Sequence, residues 1–280
     1  MSQELSLLDQ ALDFAAARQI TLPVFSDVAL KVQKAAREEH YDVAQIERAI
    51  ESDPALVAEV LRAANSAFFG GLAEVSSIRA AIVRLGLQRV ANLVFLATEK
   101  SRYTAHQPAL ADIMRTLWQH ASACAMAAEW IARKVRYPQL GETVFIGGLV
   151  HDIGKLFLLR VLDEMMLEHP NGDAVSGELV GEVLDRAHAD VGHRLLVSWH
   201  LPEVYQTIVR DHHASDPDPA NVPLQIVRLA DRACNKSGVG LRPDPSLVLG
   251  ALSEASILGL SDIALAELEI LLEDTAAATV

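Results

Sequence analysis

Residues 144–162 read VFIGGLVHDIGKLFLLRVL. Apolar residues recur at helical spacing on both sides of one polar doublet, His151-Asp152, so a helical stretch is expected over 142–162, after a turn at Tyr137-Pro138 and Gly141. A buried His or Asp without a partner is costly. Adjacent residues on a helix point about 100° apart, yet both can clasp an ion lying in the groove between that helix and its neighbours. Working outward, the same signature recurs. His120 sits in LWQHASACAMAAEW, His188 opens HADVGHRLL, His212-His213 ends a helical run, and Asp231 lies in IVRLADRAC. A lone His in such a setting is ordinarily a hydrogen-bonded core residue or a surface residue. A set of them, with an adjacent His-Asp pair inside an apolar helix, suits convergence on a cation. Neutral imidazoles and carboxylates ligate Zn, Fe, Mn and Mg-type ions.

The rest of the chain is also helical in pattern, and an all-α fold follows. Aromatic residues are only 5% of the 280, and no run of alternating β-branched residues occurs. Residues 42–51 read as a short helix. Ser52-Asp53-Pro54 starts another, expected to run to about Phe69 and to stop at Gly70-Gly71. Ser76 or Ser77 caps the next, and Gly86 ends it. Further helices are expected at about 87–100, 110–135, 178–199, 202–213, 222–237 and 246–276, with loops at 168–177 and 214–223. A seam near 103–108 suggests a boundary. The expected organisation is an N-terminal helical part, 1–105, a site-bearing part, 106–240, and an acidic C-terminal extension, 241–280. From Glu254 onward there are six acidic residues and no basic ones, which reads as a solvated helix face.

Composition narrows the function classes. With 24 Lys+Arg against 37 Asp+Glu the net charge is −13, which argues against binding long nucleic acids or anionic membranes. Hydrophobic residues at 51% against 22% charged residues indicate a globular chain with ample core. The two cysteines, Cys124 and Cys234, sit in apolar helical contexts, as expected of a reduced, cytoplasmic chain. The start, MSQELSLLDQ, carries no basic region followed by an apolar core, so no signal peptide is expected. The uncharged run between Arg115 and Glu129 falls short of the roughly 20 residues that a membrane span needs.

The order H…HD…H…HH…D resembles the HD superfamily of metal-dependent phosphohydrolases. More closely, the chain resembles an HDOD domain, a bacterial signalling relative, over roughly residues 20–235. The marks are LPVFSDVALKV at 22–32, IESDPALVAEVLRAANSAFFG at 50–70 and VSSIRAAIVRLGLQRVANLV at 75–94, followed by LWQHASACA, VFIGGLVHDIGKLFLL, HADVGHRLLVSWHLPE and IVRLADRA. The combination DPAL…LRAANSAFFG…SSI…AI…LG is far more specific than the HD doublet. The resemblance implies two packed helical halves, the second like the five-helix HD core. It implies metal ligands at His120, His151, Asp152, His188, His212, His213 and Asp231, with one or two divalent ions (Fe, Mn, Zn or Mg). If two bind, His188, His212 and His213 would serve the second. Lys155 matches a lysine proposed to contact substrate phosphate. Two departures stand out. The GYP segment of the related cyclic-dinucleotide phosphodiesterases is absent, since the His pair is followed by ASDPDPANVP. Thr116 stands where some of those enzymes carry a metal-binding Glu. His193 and His200 fit no motif. His40, His106 and His169 read as surface residues, and Trp118, Trp130 and Trp199 as packing. Cys124, one helical turn beyond His120, is a buried small residue first and a thiolate ligand second.

Two functions of different class remain. One is a regulatory module that binds protein partners in a signalling pathway and holds a metal or nucleotide-like ligand. With 21 residues ahead of the match, no fused receiver is expected there, and loss of a partner on Asp53→Ala or Asn65→Ala would report on it. The other is a metal-dependent phosphohydrolase acting on a nucleotide or cyclic nucleotide. In that case a metal-activated water would attack phosphorus, with Asp152 and Lys155 as catalytic residues and Lys155 neutralising phosphoryl charge.

Overall fold

A computed structural model describes residues 6–20, 22, 27–37, 42–66, 74–168 and 176–278. The fold is all-α: among these residues there are 14 α-helices, two short 3-10 turns and no strand. In chain order the helices are α1 (Leu7–Arg18), α2 (Asp27–Arg37), α3 (Val43–Glu51), α4 (Pro54–Ala64), α5 (Ile78–Leu85), α6 (Leu87–Lys100), α7 (Pro108–Lys134), α8 (Gly141–Val150), α9 (Ile153–Glu168), α10 (Gly177–Ser198), α11 (Glu203–Asp211), α12 (Val222–Lys236), α13 (Ser253–Ile257) and α14 (Asp262–Ala278). They form two compact units, one of the described residues within 23–102 and one of those up to 22 and from 103 to 276. No single helix is long and apolar enough to cross a membrane. His40, His169 and the Phe69–Gly71 stop lie outside the described residues.

The 23–102 unit holds α2–α6. Its helices start where side chains can satisfy the free N–H groups of a first turn. Asp42 accepts from the Ala44 amide, Asp53 from Ala55 and Ser77 from Ala80. Gly86, with φ of 82°, separates α5 from α6, a conformation that an L side chain resists. Ile46, Ile50, Leu56, Val60, Ile78, Val90 and Val94 form the core. α4 ends at Ala64, short of the expected Phe69, because Asn65 leaves the helix and clamps Val75. Its Nδ2 donates to the Val75 carbonyl and its Oδ1 accepts from the Val75 amide, both at 2.8 Å. Asp53 and Asn65 are thus both engaged in holding the backbone, and replacing either perturbs folding before it reports on a partner.

The other unit is built on the long helix α7, with α8 and α12 packed along it. Gln107 provides no side-chain cap for α7. Asp163 of α9 does so instead, accepting from the backbone amides of His106 (2.9 Å) and Gln107 (2.8 Å). The exposed His106 ring adds an Nδ1 contact of 2.9 Å to the same carboxylate. α1 packs on α9 and α10, so residues 7–18 lie with this unit and not with 23–102. The C-terminal stretch shares its core, since Leu249, Ala255, Leu265, Leu268, Leu271 and Leu272 pack with α7 and α12 residues. The solvated-face reading holds for Asp262, Glu267 and Glu273, which are exposed, and fails at Glu254, which is buried.

Candidate metal centre

The helix expected over 142–162 is broken at its centre: α8 ends at Val150 and α9 begins at Ile153, so His151 and Asp152 form the joint. The break lets both side chains face inward. Glycines make the closeness around it. A Cβ on Gly148 would lie 2.9 Å from the backbone of Ala125 in α7, and one on Gly154 would collide with the His188 carbonyl of α10. A Cβ on Gly192 would come within 3.1 Å of the Gly154 amide. These contacts bring α7, the α8–α9 joint and α10 to one point, and α11 and α12 complete the ring.

All seven residues expected as ligands meet there, in two groups: Asp152, His188, His212 and His213, and His120, His151 and Asp231. All are buried except His213. Each of four rings commits Nδ1 to a backbone carbonyl: His120 to Val239 (2.9 Å), His151 to Gly148 (2.7 Å), His188 to Leu184 (2.8 Å) and His212 to Val209 (2.8 Å). With Nδ1 donating, Nε2 is left as the free ligand atom, the second-shell arrangement of metal-bound histidines. The Nε2 atoms face one another in pairs, His120–His151 and His188–His212, each at 3.2 Å. Asp152 lies between the pairs. Its Oδ2 is 3.4 Å from His151 and 3.8 Å from His120, and its Oδ1 is 3.5 Å from His188 and 3.6 Å from His212. That Oδ1 is buried and has no hydrogen-bond partner. Asp231 Oδ1 is 3.2 Å from His120 Nε2 and accepts from Asn235 at 2.9 Å. Ligands bound about 2.0–2.2 Å from one tetrahedral or octahedral ion stand roughly 3.0–3.6 Å from each other. Most of the separations here fall in that band, so the residues fit a divalent cation.

The electrostatics agree. Burial pushes the His188 imidazole down to about 4 and, with the neighbouring His212, His213 down to about 3, so both rings are neutral, as ligands require. Burial also opposes charge on Asp152 and Asp231. The Lys155 ammonium and His151 nevertheless hold Asp152 well below the usual carboxylate range, and the hydrogen bond with His120 does the same for Asp231. Burial disfavours a charged His120, but the Asp231 hydrogen bond and charge outweigh it and raise the ring to about 9. In the cation-free protein a proton on His120 therefore supplies positive charge at that position. Lys155 Nζ lies 2.7 Å from Asp152 Oδ2, with its side chain 13% exposed.

Some candidates stay outside. Cys124 is buried in the core and contacts the Val227 carbonyl, and neither ligand group includes it. Trp118 packs on Tyr103 and Trp130 under Lys134. Thr116 bonds back to the Asp112 carbonyl. His193 and His200 belong to neither group. Two residues that the pattern left unmarked support the site. Asn235 fixes Asp231, and Arg228 donates through Nη1 to the carbonyls of His212 (2.7 Å) and Asp211 (3.2 Å) while its Nε donates to the buried Glu254 (2.8 Å). Glu254 lies 26 residues away from Arg228, too far for any local pattern to pair them.

A family model of the HDOD domain matches residues 22–215, which is more than half of the chain. The chain belongs to the HDOD family. An HDOD domain protein of Geobacter sulfurreducens has a solved structure that superposes with a TM-score of 0.71 at 21% identity, covering 97% of this chain and 98% of that one. A candidate metal-dependent phosphohydrolase of Shewanella amazonensis SB2B superposes at 0.69 with 19% identity, covering 98% of each. At those identities the likeness is one of fold. An uncharacterized protein of Treponema pallidum (strain Nichols) is 27% identical over 197 residues, 69% of this chain and 37% of that protein, so the match spans little more than a third of this curated relative. The HDOD match ends before Asp231 and before the Arg228–Glu254 pair.

Proposed function

We propose that this HDOD chain is a regulatory module whose 103–276 unit is organised by a divalent metal centre, and that it acts by binding protein partners. The observation that carries the metal reading is the His188–His212 pair. Its two Nε2 atoms face each other at 3.2 Å with both Nδ1 atoms committed, beside a buried Asp152 oxygen that has no hydrogen-bond partner. The set of His120, His151 and Asp231 would hold one ion, and Asp152, His188, His212 and His213 another. A cation removes the cost of burying these carboxylates and lone pairs together. The regulatory reading draws on the HDOD family and on the absent GYP segment. Metal analysis of protein prepared without chelator tests the first part. One or two equivalents of Mn, Fe, Zn or Mg are expected, and they should be lost in His151→Ala. A chain that carries no metal and takes none up on addition overturns it. Affinity capture from a bacterial lysate tests the second, provided that the variants used leave Asp53 and Asn65 intact.

A second reading has specific support. The ligand set is complete, and Lys155 stands beside Asp152 with part of its side chain exposed, next to the exposed ligand His213. A divalent ion held there supplies Lewis acidity and a lowered water pKa. The chain's own contribution would be Lys155 Nζ, placed to neutralise charge on a phosphoryl group, and Asp152, which orients Lys155. Turnover of a nucleotide and cyclic-nucleotide panel with Mn, Fe, Mg or Zn tests this reading. Activity that survives His151→Ala would belong to a contaminant.

A further inference from the structure

The carbonyls that end α11 are held by another helix. A helix leaves its last carbonyls without intrahelical partners and presents partial negative charge there. At α11 those groups belong to Asp211 and His212, and the Arg228 guanidinium of α12 takes both, at 3.2 and 2.7 Å. Arg228 is itself buried and is fixed through Nε by Glu254 at 2.8 Å. Ser253 completes the arrangement by donating its hydroxyl to the other Glu254 oxygen at 3.2 Å. The planar guanidinium suits this geometry, because one face of its fork meets the carboxylate while the other meets two carbonyls. The held backbone is the peptide between His212 and His213, and both rings belong to the Asp152 group. Asp231 lies three residues past Arg228 on the same helix, yet the His120 group takes no hydrogen bond from Arg228 among those found.

We propose that Arg228, locked by Glu254, is the positioning residue that aims His212 and His213, so that α13 governs cation loading of the Asp152 group and leaves the His120 group alone. The inference rests on reading the cluster as a metal centre. It gives the C-terminal stretch, beyond the HDOD match, a role at the site: a change in how α13 seats would be felt as a change in metal affinity at one half of the centre.

The test uses the full chain and Mn(II) as the probe, with bound and free ion counted by electron paramagnetic resonance. His120→Ala disables one group and His188→Ala the other, so each background isolates the opposite half. Into each goes the double change Arg228→Met with Glu254→Leu. Replacing a buried ion pair by apolar residues of similar size commonly preserves folding, and circular dichroism checks that it does. In the His120→Ala background the double change should weaken Mn(II) binding by about 10–100-fold, the usual effect of losing an outer partner. In the His188→Ala background binding should stay within about twofold. Glu254→Gln, which keeps an acceptor for Arg228 Nε, should restore most of the affinity. Equal losses in both backgrounds, or none in either, overturn the proposal. Absence of Mn(II) binding by the unaltered chain overturns the metal reading, and this inference with it.

Discussion

Asp163 caps a helix that begins 55 residues earlier in the chain, and its chemistry sets a pH dependence. Burial raises its carboxyl, but the backbone amides of His106 and Gln107 outweigh that and hold it below the usual range. A carboxyl lower in the folded than in the unfolded chain contributes stability that is present above about pH 4 and lost as pH falls through the depressed folded value. Asp163→Asn should therefore cost about 1–2 kcal/mol at pH 7, and the difference from the unaltered protein should shrink toward pH 3 in urea unfolding. Asp152→Asn makes a different prediction. One oxygen faces each ligand group, so the neutral isostere should impair metal uptake at both, whereas His188→Ala should spare one. Metal counting after equilibration separates the two outcomes. The ligand residues were legible in sequence because each is a polar side chain set in apolar helix. Asp163, Arg228 and Glu254 were not, because their partners lie far along the chain and their own surroundings look like ordinary charged positions.

The α8–α9 joint shows where periodicity misleads. Apolar spacing runs unbroken from Val144 to Leu162, so one helix was the natural reading. The break is enforced by close neighbours, above all the approach of α9 to α10 at Gly154. Gly154→Ala should push α9 from α10, destabilise the chain by about 1–3 kcal/mol as over-packing does, and weaken metal binding. Gly181→Ala, on α10 with nothing near its Cβ, should instead be neutral or stabilising by up to about 1 kcal/mol. Thermal denaturation of the pair, with and without Mn(II), checks both. The C-terminal helices taught the complementary lesson. Their acidic run suggested solvation, but the alternating leucines of α14 enter the core, and one acid of the run, Glu254, is spent on Arg228.

The two units should respond differently to metal. All seven ligands lie in the unit that includes 103–276, and α3–α6 contain none. Ligand at 100 times its dissociation constant stabilises by about 2.7 kcal/mol, equivalent to roughly 100-fold slower hydrogen exchange in globally protected amides. Exchange in α7, α8, α10 and α12 should slow by about that factor on Mn(II) saturation, while α3–α6 change less than about twofold. Uniform slowing throughout would argue against a cation confined to the cluster. The helical class and the two-part organisation were readable from caps and glycine stops. The way α1 and the tail join the site-bearing unit was not, since it is decided by which apolar faces meet.

The four imidazoles differ in where their orientation comes from. His151, His188 and His212 each donate Nδ1 to a carbonyl three or four residues earlier, within their own turn of chain, whereas His120 depends on Val239, 119 residues away. Three rings are therefore aimed as soon as their own helices form. The fourth waits for the chain to return past α12. During folding, the Asp152 group can assemble and capture an ion before the His120 group exists, so the centre has an intrinsic order of filling, written in the reach of its hydrogen bonds.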